Sequence, residues 1–438
     1  MNKPLASCVP VYLAVGLLAC AALMAQQIPG ATELPSHPFF IKKTWPIGGE
    51  GGWDYLSLDS AASQLFIAHG AKVQVVDVES GALAGEVAGL SQVHSIALDE
   101  TGQFGYISDG PLDQVTVFDR RSFQRVVDIH TDINPRALAF EPQTKLLFVV
   151  RTDPPGENPG LPRIRPNTQA AAPRNPSPAR RDVPIDPNAA SSVTVIDTET
   201  QTAIGEILLP GKLGFAQADG NGQVYISITD RSQVLRLDAQ AIALLLKKDP
   251  GSTAASQPHT GRPDTAHVSA AWTRLDWSGN GRSSRAPDGV MRSFSLLPAC
   301  TDPRSLAIDW PHTRLFVGCN NMKLVVLNAG TGEVVTSLPT GPGTDAIGFD
   351  ANHGLIYSAN GGANGSLTII RQDVADSYAV VQVLPTRQRA RTMAVNPVSG
   401  EVYLVTDLLG VNLAQPGGIG TLKSGPASGS FQVLVIGN

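Results

Sequence analysis

A short alternating segment that ends in an acid or an amide recurs seven times along the chain, and this repetition constrains the fold more than any other feature. The copies are YLSLD ending at Asp59, IALD at Asp99, LAFE at Glu141, AQAD at Asp219, LAID at Asp309, IGFD at Asp350 and MAVN at Asn396. Alternation of this kind marks a strand with one face buried. A terminal Asp or Asn bonds its own backbone and starts a tight turn. A second apolar strand follows each turn, as in QLFIAHG from Gln64 and RLFVGCN from Arg314. A third follows that, as in VQVVD at 73–77 and LVVLN at 324–328. A turn such as ESG or GTG then leads to a fourth, as in ALAGEV and VVTSL. Four strands and about forty residues per unit are the pattern of a β-propeller. The expected fold is all-β, a seven-bladed propeller of four-stranded blades. The 43 Gly and 33 Pro supply the many turns this requires.

The seventh unit stops after its third strand, at Asn438. The N-terminal stretch FFIKKTWPIGG, from Phe39, has the character to supply the missing strand, and its TWPIGG is similar to SLPTG at 337–341. Closing the ring in this way removes an exposed sheet edge. It also explains the glycines of GGEGGWDYLSLD, Gly48 to Asp59, as the crossing from the last blade to the first. No helix follows them, so they are not a dinucleotide fingerprint. Two units are too long. Residues 154–190 interrupt the third blade between its second and third strands. They carry Arg163, Arg165, Arg174, Arg180 and Arg181 with almost no aromatic content, and are expected to be extended or disordered. Residues 247–293 are expected to extend the end of the fourth blade, and include Trp272 and Trp277.

Residues 1–25 read as an export signal, with Lys3 ahead of an uncharged apolar run, and 26–38 as a linker. No membrane span is expected after signal removal. The LLAC segment, Leu17 to Cys20, is an imperfect lipobox, so a lipid anchor at Cys20 is the alternative to plain cleavage. A mature chain keeps two cysteines, Cys300 and Cys319. In an exported protein this predicts one disulfide, with two buried free thiols as the alternative. The pair would close a loop of about twenty residues and add about 3 kcal/mol in the chain-entropy picture.

The repeats LFIAHG…VQVVDVESGALAGEVAG and RLFVGCNNMKLVVLNAGTGEVVTSLPTG resemble the YVTN-type β-propeller repeat family, and its YncE-like exported members in particular. The resemblance runs from Phe39 to Asn438 outside the two long inserts. GGWDYLSLD, the spacing of Cys300 and Cys319, and RTMAVNP at 391–397 resemble it too. It implies a seven-bladed bacterial protein, secreted or periplasmic, with no defined chemistry. Propellers host unrelated functions, so it says little about activity.

The first strand of each blade lines the central channel of a propeller. Counting five residues back from each turn acid therefore gives seven positions around one axis: Asp54, His94, Arg136, Gly214, Arg304, Asp345 and Arg391. Six are ionisable, in a chain where 16% of residues are Asp, Glu, Lys or Arg. Such a ring either solvates and pairs itself for structure, or binds a small anionic or zwitterionic ligand or a partner's side chain. Three guanidiniums suit a carboxylate or phosphate. Gly214 breaks the ring, as a gap for ligand or as a lost contact. The resulting expectation is a monomeric binding or scaffold protein with no cofactor, acting on a small anionic ligand or an envelope partner.

The rival is a propeller enzyme, either a lactonase-like metal hydrolase or an oxidoreductase with an acquired cofactor. Asp54, Asp345 and Asn360 are its candidate cation ligands, though three Arg at the same level oppose a cation. His69 and His94 lack a third metal ligand. DWSGNGRSSRAPD, 276–288, starts like a calcium loop at Asp276, Ser278, Asn280 and Gly281, but has Pro287 where the bidentate Glu belongs. There is no GxSxG, HExxH or P-loop. A net charge of −5 and 6% aromatic residues weigh against nucleic acid.

Overall fold

In the computed structural model the described residues are 37–151, 190–248, 273–278, 286–362, 364–412, 423–426 and 429–438. They form seven radial blades of antiparallel strands, counted here outward from the axis. Blade one is Trp53–Asp59, Gln64–His69, Lys72–Asp77 and Leu83–Val87. The first strands of blades two to seven are Val93–Leu98, Pro135–Glu141, Leu213–Ala218, Pro303–Asp309, Thr344–Asp350 and Met393–Val395. The fold is the one the repeats predict.

The turn acids behave as their repetition implies. Asp59 Oδ1 accepts from the Ala61 and Ala62 amides, both at 3.1 Å. Asn396 Oδ1 accepts from Val398 N at 2.9 Å. The acids also join blades at this end of the ring. Arg120, buried, donates to Asp59 of blade one, and its Nη1 donates to the Asp99 carbonyl of blade two at 2.8 Å.

Every second strand carries one aromatic residue at the matching position: Phe66, Tyr106, Phe148, Tyr225, Phe316, Tyr357 and Tyr403. All seven are at most 2% exposed. Large buried rings fill the wedge between neighbouring blades, and burying one contributes roughly 1.5–3 kcal/mol relative to leaving it in water. Near the axis, serines tie neighbours that share no backbone ladder. Ser57 Oγ donates to Ile96 O at 2.5 Å, and Ser108 Oγ donates to Arg136 O at 2.7 Å.

Blade seven is closed by the N-terminal strand. Phe40–Pro46 pairs antiparallel with Gln432–Gly437, giving a sheet of four strands drawn from both ends of the described chain. Trp45 stacks on Tyr403 of blade seven, with centroids 5.7 Å apart. Its indole also lies against Gly81 of blade one, where an added Cβ would sit 2.3 Å from Nε1. Gly48, Gly49 and Gly51 then adopt φ of +69°, +101° and +111°. A Cβ on Gly49 would lie 2.9 Å from the His69 ring. The glycines are needed for this close, left-handed crossing.

Blade four departs from expectation. Its long insert lies between the third and fourth strands, not after the fourth. The third strand, Gln233–Asp238, runs directly into the helix Ala239–Lys248, where Asp238 Oδ1 accepts from Ala241 N at 2.8 Å. Such a side-chain cap satisfies an orphan helix amide. Thr273–Asp276 then adds to blade three as a fifth, parallel strand beside Thr202–Pro210. Met291–Ser295 completes blade four. Ile242 and Leu246 of the helix and Trp277 pack into one core shared by blades three and four. Trp277 of this insert is buried. Trp272, most of 154–190, and the signal and linker residues up to 36 lie outside the described residues.

Cys300 and Cys319 are disulfide-bonded, with Cα atoms 5.5 Å apart. Cys319 ends its strand opposite Pro303. Cys300 therefore reaches back across the turn before the first strand of blade five.

Trp45→Ala should cost about 3–5 kcal/mol in denaturant unfolding. Phe40→Ala, on the same strand but 51% exposed, should stay within about 0.5 kcal/mol of wild type. Cys300→Ser should cost about 3 kcal/mol for a cross-link spanning 19 residues. Equal costs for Trp45→Ala and Phe40→Ala would contradict the closure described.

Candidate functional site

The innermost strands share a local irregularity. In blades one to six the register with the second strand slips by one residue near the start of the first strand. The slips fall between Trp53 and Leu56, Val93 and Ile96, Pro135 and Ala137, Leu213 and Ala216, Pro303 and Ser305, and Thr344 and Ala346. Each brackets the residue picked out by the five-residue count. A bulge re-aims a side chain and is common at the rims of closed sheets. In blade seven Arg391 precedes the short strand Met393–Val395.

Asp54, His94, Arg136, Gly214, Arg304, Asp345 and Arg391 all line one cavity of about 580 Å³ at the channel mouth. His94 Nδ1 and Asp54 Oδ2 are 2.9 Å apart, linking blades two and one. Arg391 Nε donates to Asp345 Oδ2 at 3.2 Å, linking blades seven and six. Arg304 pairs with Asp302 at 2.5 Å. Arg391 and Arg304 keep 47% and 43% of their side-chain surface exposed, so both remain within reach of a ligand despite their pairs.

Gly214 is neither a gap nor a lost contact. A Cβ there would lie 2.5 Å from Ser227 Oγ and 2.9 Å from Thr229 Cγ2. The second strand and the turn after it already fill that space. Lys212, Thr229 and Asp230 line the mouth in its place, and Asp230 Oδ1 accepts from the Lys212 amide at 2.8 Å. The five-residue count missed these residues, and also Asp302, because they lie just outside the counted position.

Tyr55 and Phe215 were missed as well. They come from blades one and four, on opposite sides of the axis, yet their ring centroids are 5.1 Å apart. Both line the polar mouth, and both line the channel beneath it, a space of about 460 Å³ walled by residues such as Leu138, Phe140, Ile347 and Phe349. The two rings therefore form a floor between a charged cup and a channel of uncharged lining, which also includes Ser57, Ser95, Gln217 and Ser305. The signal was available in the sequence: among the residues that directly follow the ring positions, only these two are aromatic.

Burial pushes the Asp345 carboxyl above its ordinary value. Asp54 adds to the rise, while Arg391 foremost, then Arg304 and Arg136, oppose it. Burial also raises the Tyr55 hydroxyl well above its usual value, with Asp345 and Asp54 adding. Asp345 therefore feels Asp54 and the three guanidiniums across the mouth.

The other candidates lie elsewhere. His69 is buried under the glycine crossing, with Nδ1 2.6 Å from Gln74 Oε1 and its ring 4.0 Å from that of Phe431. Burial lowers its pKa. Asn360 is buried in blade six, bonded to Thr344, Ser358, Ser366 and Thr368, and does not join Asp54 and Asp345 in the mouth. Asp276 Oδ1 accepts from the Ser278 amide and hydroxyl at 3.0 and 2.6 Å, a simple surface turn. Asn280 and Gly281 lie outside the described residues. Among the described residues no three His, Cys, Asp or Glu side chains are grouped to hold a metal. Nor is any helix among them long and apolar enough to cross a membrane.

No protein-family profile matches the chain, and no curated protein matches it in sequence. Its structure is similar to many solved propellers. One is a chain of the crystal structure of the Mitotic Checkpoint Complex, at TM-score 0.57 and 12% identity, over 92% of this chain and 95% of that one. Another is the structure of U3-55K, at 0.58 and 9%, over 89% and 97%. A third is the crystal structure of the RRP9 WD40 repeats, at 0.58 and 10%, over 89% and 96%. At these identities the likeness is one of fold.

The raised Asp345 carboxyl gives a pH signature. An acid whose pKa is higher folded than unfolded favours the folded state at low pH, and that contribution is lost as pH rises through the folded value. Asp345→Asn removes the ionisation. The stability of Asp345→Asn relative to wild type should therefore rise from near pH 3.8 upward and level off above the folded pKa. Paired urea titrations across pH 3–8 read it, and a constant difference would contradict it.

Proposed function

We propose that this protein is a binding module whose recognition site is the channel mouth, taking the carboxylate or phosphate of a small ligand or of a partner through Arg136, Arg304 and Arg391. The observation that carries the reading is the convergence of six ionisable ring residues, one per blade, into a single cavity. Its size lies within the roughly 300–1,000 Å³ usual for ligand sites. Guanidinium forks match planar and tetrahedral oxyanions, and half-buried charges act in a lower dielectric than water. The fit with the YVTN-type repeats and the N-terminal apolar run supports an exported, periplasmic or secreted setting, where the partner would be an envelope component. The rival enzyme reading would have to work through the His94–Asp54 pair, since Arg391 and Arg304 engage Asp345 and Asp302.

The test is thermal unfolding of the wild type and an Arg136→Gln/Arg304→Gln/Arg391→Gln variant, with phosphate, citrate and glutamate titrated in turn. The wild-type Tm should rise with at least one of them, by more at low than at high salt. The variant should keep a similar Tm alone and lose the rise. A variant that unfolds, or that keeps the rise, would show that the ring serves structure only.

A further inference from the structure

The mouth is not simply cationic. Its lining holds four carboxylates, Asp54, Asp230, Asp302 and Asp345, against four permanent cations, Arg136, Lys212, Arg304 and Arg391. The signs are unevenly spread. Blades three to five present Arg136, Lys212 and Arg304 with Asp230 and Asp302, whereas Asp345 and Asp54 come from blades six and one with only Arg391 of blade seven as a permanent cation beside them. A purely anionic ligand would gain from the first group and be repelled by the second. A cation placed near Asp345 and Asp54 would relieve the repulsion that Asp345 and the Tyr55 hydroxyl register. Beneath both groups lies the Tyr55–Phe215 floor, two rings in contact across the axis. An aromatic floor rewards an apolar or aromatic group laid upon it.

Resting on the reading of the mouth as a binding site, we propose that its ligand is a free α-amino acid with a large apolar or aromatic side chain. The carboxylate lies on the side of Arg136 and Arg304, the ammonium on the side of Asp345 and Asp54, and the side chain on the Tyr55–Phe215 floor. This assignment engages both signs of the mouth and its aromatic floor, and leaves its charge balance unchanged. A site built to bond a charged group discriminates strongly against an analogue that lacks it, because its own groups are then left unpaired. Net neutrality also predicts a weaker salt dependence than for an anion held by guanidiniums alone.

The experiment is isothermal titration of the full chain with phenylalanine, 3-phenylpropionate, phenethylamine and glycine. These present both charges with the ring, the carboxylate with the ring, the ammonium with the ring, and both charges without it. Phenylalanine should bind at least about tenfold tighter than each of the others. Asp345→Asn should weaken phenylalanine and tighten 3-phenylpropionate, whose repulsion by the carboxylate is removed, so that the preference for phenylalanine is lost. Phe215→Ala should weaken phenylalanine and leave glycine unchanged, with the Tm of each variant as a folding control. If 3-phenylpropionate equals or exceeds phenylalanine, the amino-acid assignment is wrong and the anion-binding mouth stands. If none of the four binds, the assignment falls. The mouth reading then falls with it only if phosphate, citrate and glutamate also leave the wild-type Tm unmoved.

Discussion

Closure of the ring by two strands from opposite ends of the described chain is the contact on which everything else rests. Phe40–Pro46 against Gln432–Gly437 converts a row of blades into a ring. Trp45 seals the seam by touching Tyr403 on one side and Gly81 on the other. Only in a closed ring do seven first strands face a common axis. Asp345 of blade six can then face Asp54 of blade one, and Tyr55 can reach Phe215. The mouth is a product of circular geometry and has no counterpart within any single repeat.

The bulges turn that geometry into chemistry. A regular strand alternates its faces, so two successive residues cannot both look at the axis. The slip in register after Trp53 lets Asp54 join the mouth and Tyr55 the floor. The same slip after Leu213 sets Phe215 opposite, where Gly214 has no room for a side chain. The pairs His94–Asp54 and Arg391–Asp345 each cross a blade boundary, so they also hold the rim together. A structural and a recognising ring share the same atoms. What separates them is whether the exposed faces of Arg304 and Arg391 take an external partner.

Much of this was legible in the sequence because repetition supplies its own alignment. The turn acids fixed the register of seven units, and the five-residue count then reached all seven mouth positions. The closing strand was legible because FFIKKTWPIGG carries the missing fourth-strand pattern. The count failed where the chain left its period. Lys212, Asp230 and Asp302 sit in connections, whose side-chain directions follow from turns and not from strand alternation. Tyr55 and Phe215 stand out as the two aromatic residues that follow ring positions, but their contact joins residues 160 positions apart and follows only from closure of the ring. The fourth blade misled because its insert splits the repeat, and Met291–Ser295 stands more than fifty residues beyond its partner Gln233–Asp238.

The most direct test of the account is a crystal structure of the protein purified from its natural host, without added ligand, at a resolution that distinguishes water from a bound molecule. The account predicts a small molecule in the mouth, with an acidic group on Arg136 and Arg304 and the rest of it above Tyr55 and Phe215. A mouth holding only ordered water, with every guanidinium closed on a neighbouring carboxylate, would contradict it.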